Sequence, residues 1–141
     1  MGTLETTVLT AEDRLAIHQL LAEYSVYEDS GAAQEWAALF TSDGRFVSKA
    51  GKETVGREAL AAFATERWKR PEVRRWVHWV NNVTIKPVPE GAEAFSYAMV
   101  VEKSEDGTFS IVNVQAKRDT LRVEDGAWRF HVRRVEVLQA S

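Results

Sequence analysis

The sequence predicts an α+β domain in which helices cover one face of a curved, mostly antiparallel sheet. Three observations carry that prediction. Up to Trp68 the apolar residues recur at helical spacing. After Pro71 the chain becomes β-branched and aromatic in four long runs. The turn-forming clusters "PEGA", "SEDGT" and "EDGA" separate those runs. Helices segregated from strands in this way pack as layers around one core.

Each element has a local reason. Thr10 suits a helix N-cap, with Glu12 and Asp13 in the first turn where the helix dipole favours anions. From there Ile17, Leu20, Leu21, Tyr24 and Tyr27 or Glu28 fall on one stripe. "DSG" ends this helix, with Gly31 suited to a left-handed cap. "AAQEWAALF" reads as a shorter second helix with Trp36, Leu39 and Phe40 on one face, and "TSDG" as a turn. "RFVSKAG" and "KETVG" form a short strand pair, and "REALAAFATERW" a third helix carrying Leu60, Phe63 and Trp68. The four runs after Pro71 form an antiparallel meander, and Asp125-Gly126 makes a tight turn between the last two.

Size and charge narrow the function. The 141 residues suit one domain, here an arm over residues 1–9 and a single unit over residues 10–141. A net charge of −3 weighs against a general nucleic-acid or anionic-membrane binder. The chain has no cysteine, which excludes disulfides and thiolate chemistry. No apolar run approaches the ~20 residues that span a bilayer, and no secretory signal is visible, so a cytoplasmic location is expected. The three histidines lack the short spacing of a helical metal motif, and no phosphate-binding glycine loop or serine elbow is present. No metal and no cofactor is therefore expected.

Two residues stand out chemically. Asp29, near a helix C-terminus and flanked by Tyr24, Tyr27 and Trp36, is either a solvated turn residue or a carboxylate made more basic by the dipole and by desolvation. Strand alternation in "RRWVHWVNNV" puts Trp76, His78, Val80 and Asn82 on one face. His78 is then either a satisfied core histidine or a base whose ring a carboxylate orients. An Asp29–His78 dyad would relay a proton. Arg134, on a strand face shared with Phe130 and Val132, either binds a developing oxyanion or pairs with a surface acid.

The order of these motifs resembles a known family. Asp13, Arg14, Ile17, Leu20, Tyr24, Asp29, Trp36, Leu39, Phe40, Asp43 and Gly44 match the opening of SnoaL-like polyketide cyclase domains, in the nuclear-transport-factor-like superfamily. His78 and Asn82 match a later H-x-x-x-N, and Trp128, Arg129, Arg133 and Arg134 the closing W-R-x-x-x-R-R. The resemblance implies a cone-shaped α+β barrel around an apolar pocket, and a homodimer formed through the sheet. Relatives such as scytalone dehydratase, ketosteroid isomerase and bile-acid dehydratase imply a cofactor-independent lyase or isomerase acting on a small apolar or polycyclic substrate. The Tyr/Asp/His set would carry over to Tyr24, Asp29 and His78, with Arg134 assisting. Trp36, Phe40, Phe63, Trp68, Trp76 and Asn82 would line the substrate. The alternative is a non-catalytic ligand-binding or dimerising module with the same fold.

Overall fold

The structure is a computed structural model, and it describes residues 7–138. Most of the expected N-terminal arm, and the last three residues of the chain, lie outside that range. Thr7 is tied to the domain, its amide donating to the Val88 carbonyl at 3.2 Å.

Three helices precede most of the sheet. Helix α1 spans Ala11–Ser30, α2 Ala33–Ala38 and α3 Arg57–Trp68. The expected capping signal is present at α1. The Asp13 amide donates to Thr10 Oγ1 at 3.0 Å, and the Thr10 amide donates to Asp13 Oδ2 at 2.9 Å. Trp128 Nε1 donates to the other carboxylate oxygen at 3.0 Å, which ties the cap to the last strand. Gly31 closes α1 at φ 72°, a left-handed conformation that favours glycine. The Trp68 indole lies so close over Gly31 that an added Cβ would collide with it.

Six strands form one sheet: β1 Phe40–Val47, β2 Glu53–Val55, β3 Trp76–Val88, β4 Gly91–Lys103, β5 Phe109–Glu124 and β6 Ala127–Leu138. A short 3-10 turn over Pro71–Arg75 leads into β3. The spatial order is β2-β1-β6-β5-β4-β3, with β1 parallel to β6 and every other pair antiparallel. This is a cone-shaped α+β barrel, and the meander β3 to β6 follows the sequence reading. The segment "TSDG" differs: it runs within β1 rather than forming a turn, because β1 is a closing strand for β6 whose pairing is interrupted between Phe40 and Arg45. The core beneath the helices joins Ile17, Leu20, Leu21 and Tyr24 to Phe40, Leu121 and Phe130.

Two bulges set which side chains face inward. In β3 the pairing shifts between Asn81 and Thr84, and Asn82 takes φ 55°. Trp76, His78 and Val80 face the helices as expected, but Asn82 is exposed, and Val83 and Ile85 take over the inner face. In β6 Phe130 pairs with Leu121 and Val132 with Thr120, which leaves His131 as the extra residue. Alternation therefore inverts there: Arg133 is fully buried and Arg134 is exposed.

Candidate active site

The last two turns of α1 supply the site's carboxylates. Helical spacing carries the stripe Ile17, Leu21, Tyr24 onward to Glu28, so an acidic residue arrives where the preceding positions are core. Asp29 follows on the side that meets β3. The His78 amide donates to Asp29 Oδ2 at 2.9 Å, and its ring Nδ1 lies 2.6 Å from Asp29 Oδ1. The carboxylate thus binds both the backbone and the ring of one residue and fixes the imidazole's orientation.

The other ring nitrogen has a partner as well. His78 Nε2 lies 3.3 Å from Glu28 Oε1, which also receives Arg67 at 3.1 Å. The His78 side chain is only 2% exposed, and its two ring nitrogens are shielded between the two acids. Glu28 Oε2 is buried without a hydrogen-bond partner. Burial alone would raise the Glu28 carboxyl; the charges of Lys117, His78, Arg67 and Arg133 outweigh it and hold the group below the ordinary glutamate value.

A cleft of about 400 Å³ opens beside Glu28, of a size suited to a small organic ligand. Its walls include Tyr24, Glu28, Phe63, Arg67, Trp76 and Lys117. Burial pushes the Tyr24 hydroxyl far above the ordinary phenol range, so it remains a hydrogen-bond donor. Its ring lies beneath two cations, the Arg133 guanidinium at 4.1 Å and Lys117 Nζ at 4.7 Å. Arg133 also stands 3.5 Å from Asp119, and neither group is exposed. Burial, opposed by Arg133 and Lys117, pushes the Asp119 carboxyl up to about 6.

Of the residues singled out in the sequence, Tyr24, Phe63 and Trp76 line this cleft. Asp29 and His78 meet each other but border a separate groove of about 480 Å³ behind α1, with His18 and Ser25. Glu28 is the link between the two compartments. Trp36 and Trp68 line a cavity of about 30 Å³ shared with Phe63, room for roughly one water. Phe40 is a core residue, its ring 5.1 Å from Trp36 and 5.4 Å from Phe130. Two placements correct the sequence reading. Asn82 is outside the site because of the β3 bulge, and Arg134 borders an outer groove with Lys86, Glu93 and Arg118 because of the β6 bulge. Four interior groups were missed: Glu28, Lys117, Asp119 and Arg133. The helical stripe pointed to Glu28, and the i, i+2 spacing of Lys117, Asp119 and Leu121 put two charges on an inner strand face. Arg133 had no such signal. Among the described residues no His, Asp and Glu cluster is placed to hold a metal ion.

An α+β cone with a carboxylate-lined cleft at the open end defines the class. The SnoaL-like domain model matches residues 9–134, and the chain belongs to that family. An NTF2-like protein with a cystatin-like fold from Novosphingobium aromaticivorans is similar at 29% identity and TM-score 0.82, over 92% of this chain and 84% of the other. A protein of unknown function from Mycobacterium tuberculosis is similar at 26% identity and TM-score 0.81, over 92% and 73%. A Catenulispora acidiphila protein solved in complex with S-DNPA is similar at 26% identity and TM-score 0.78, over 91% and 95%. No curated protein matches the chain. No helix among the described residues is long and apolar enough to cross a membrane.

Proposed function

We propose that the chain is a cofactor-independent lyase or isomerase of the cyclase or dehydratase type, acting on a small apolar or polycyclic molecule. One observation carries this reading: the contacts Asp29–His78–Glu28, at 2.6 and 3.3 Å, lead from a shielded dyad to a carboxylate at the cleft. Glu28, rather than His78 itself, takes the substrate proton, because Glu28 lines the cleft and His78 does not. His78 holds Glu28, and Asp29 holds His78.

The electrostatics narrow the substrate. A carboxylate held below its ordinary value is a weak base, best matched to an already acidic proton, such as one between two carbonyl groups. Tyr24 donates to the oxygen that gains charge, and the Arg67 and Lys117 cations favour that charge. A co-crystallised small molecule in a relative at 26% identity supports a ligand-binding cleft. The rival reading, a non-catalytic binding module, draws support from the burial of His78 between two acids, which leaves its ring no open face.

Rates of Glu28→Gln, Asp29→Asn and His78→Gln variants against a panel of cyclic β-diketones and hydroxylated polycycles separate the two. Loss of the general base lowers the rate by about 10²–10⁴ in Glu28→Gln, with smaller losses in the other two. Rates unchanged in all three remove the relay, and a parent that binds these compounds without turning any of them over leaves the binding module.

A second copy of the chain covers the outer face of the sheet in this proposal. Trp79, Met99, Val114 and Leu138 stand in one row across β3, β4, β5 and β6, beside a second row of Val77, Val101 and Ile111. Trp79 is 64% exposed, and an apolar row of this length is an expected interaction surface.

A further inference from the structure

We infer that Lys117 is a carbonyl-capturing amine: the cleft admits a small apolar aldehyde or ketone, and Lys117 Nζ joins its carbonyl carbon as an iminium. This goes beyond the acid–base reading and borrows from it only Glu28 as a proton carrier; the adduct at Lys117 can fail while that reading stands, and the reverse. Lys117 is one of six lysines, and the other five are exposed. It is buried from its strand outward to the cleft wall, between Ser96 on β4 and Val135 on β6. The ion pairs of the interior among the described residues are Arg67–Glu28, His78 with Glu28 and Asp29, and Arg133–Asp119; Lys117 is in none of them. The groups facing it are the Tyr24 ring and Glu28 from α1, Arg67 from α3, Asp119 on its own strand and Arg133 from β6.

That setting favours the neutral amine. Burial, followed by the neighbouring Arg133 cation, pushes Lys117 down to about 8, against partial compensation from Glu28 and Asp119. Desolvation beside a second cation is the established way to make a lysine nucleophilic near neutral pH. The apolar walls, Phe46, Phe63, Trp76 and Val135, suit an aromatic or alicyclic carbonyl compound.

The chemistry balances without a cofactor. The amine lone pair forms the N–C bond, and the carbonyl π pair moves to oxygen. Glu28 takes a proton from the new ammonium and returns one to that oxygen, giving a carbinolamine. The C–O bond then breaks, water leaves with a further proton, and the nitrogen lone pair closes the iminium. One amine, one carbonyl and one proton give one iminium and one water.

Trapping tests it on the intact parent protein. The protein is incubated with 2-naphthaldehyde and sodium cyanoborohydride, which reduces an iminium to a stable secondary amine, then digested and mapped by mass spectrometry. Near pH 8 the modification at Lys117 is expected to exceed that at each exposed lysine by well over tenfold, since ordinary lysines titrate near 10.4 and the neutral fractions then differ by roughly a hundredfold. The yield at Lys117 should fall as the pH drops below about 8, and its lead over the exposed lysines should narrow as the pH rises towards about 10.4. A map in which Lys117 does not lead the six lysines overturns the proposal, whatever the fate of any variant. Lys117→Met serves as a mass control and should lose that one adduct alone.

Discussion

The two ends of the cone use the same strands and helix for opposite purposes. Along the inner face of β5, Leu121 at the closed end gives way to Asp119, Lys117 and then Gln115 towards the cleft. On α1, Ile17 and Leu21 give way to Tyr24 and Glu28. On β3, Ile85 and Val80 give way to His78 and Trp76. The closed end is close-packed aromatic and aliphatic core. The open end buries cations and carboxylates that cannot interdigitate as methyl groups do, and the cleft lies there. A stable plug of apolar packing holds a charged interior that would not hold itself.

This contrast can be broken from either side. Phe130 is fully buried at the closed end, with Tyr24 and Phe40 rings both 5.4 Å away. Phe130→Ala should lower the unfolding free energy by about 3–5 kcal/mol, read by chemical denaturation. The open end should respond in the opposite direction. A lysine that titrates near 8 in the fold and near 10.5 when unfolded weakens the fold by about 3 kcal/mol at neutral pH. Lys117→Met should recover much of that stability. The sign is fixed by linkage: between about 8 and 10.5 the unfolded chain binds more protons, so the parent gains stability as pH rises. The gap between variant and parent should therefore close over that range, in denaturation curves taken at several pH values. Asp119 runs the other way, weighing against the fold increasingly as pH rises from about 3.8 to about 6. The smallest effect on monomer stability, within about 0.5 kcal/mol, is expected for Trp79→Glu on the outer face. Analytical ultracentrifugation should give twice the chain mass for the parent and the single mass for this variant.

The fold was legible because its signals are local and repeated. The capping pair Thr10 and Asp13, the helical stripe from Ile17 to Tyr24 and the turn at Asp125-Gly126 each act over a few residues. Asp29 and His78, 49 residues apart, could be joined by chemical type, a buried ring needing a carboxylate to orient it, and by the family pattern, but by no local signal. What stayed hidden depended on register. Strand alternation assigns faces correctly until an extra residue intervenes, and it misplaced Asn82 and Arg134 beyond the β3 and β6 bulges. Glu28 was hidden for another reason: the family motif places its carboxylate one residue later, at Asp29.

The extra residue at His131 acts as a parity setting for the end of the chain. Removing it would exchange the two sides of the strand beyond, turning Arg134 to the ring of Tyr24 and Arg133 to the solvent. Two relatives with the same arginine pair could then present different members of it to their ligands. Aligning the letters alone would pair residues that do different work.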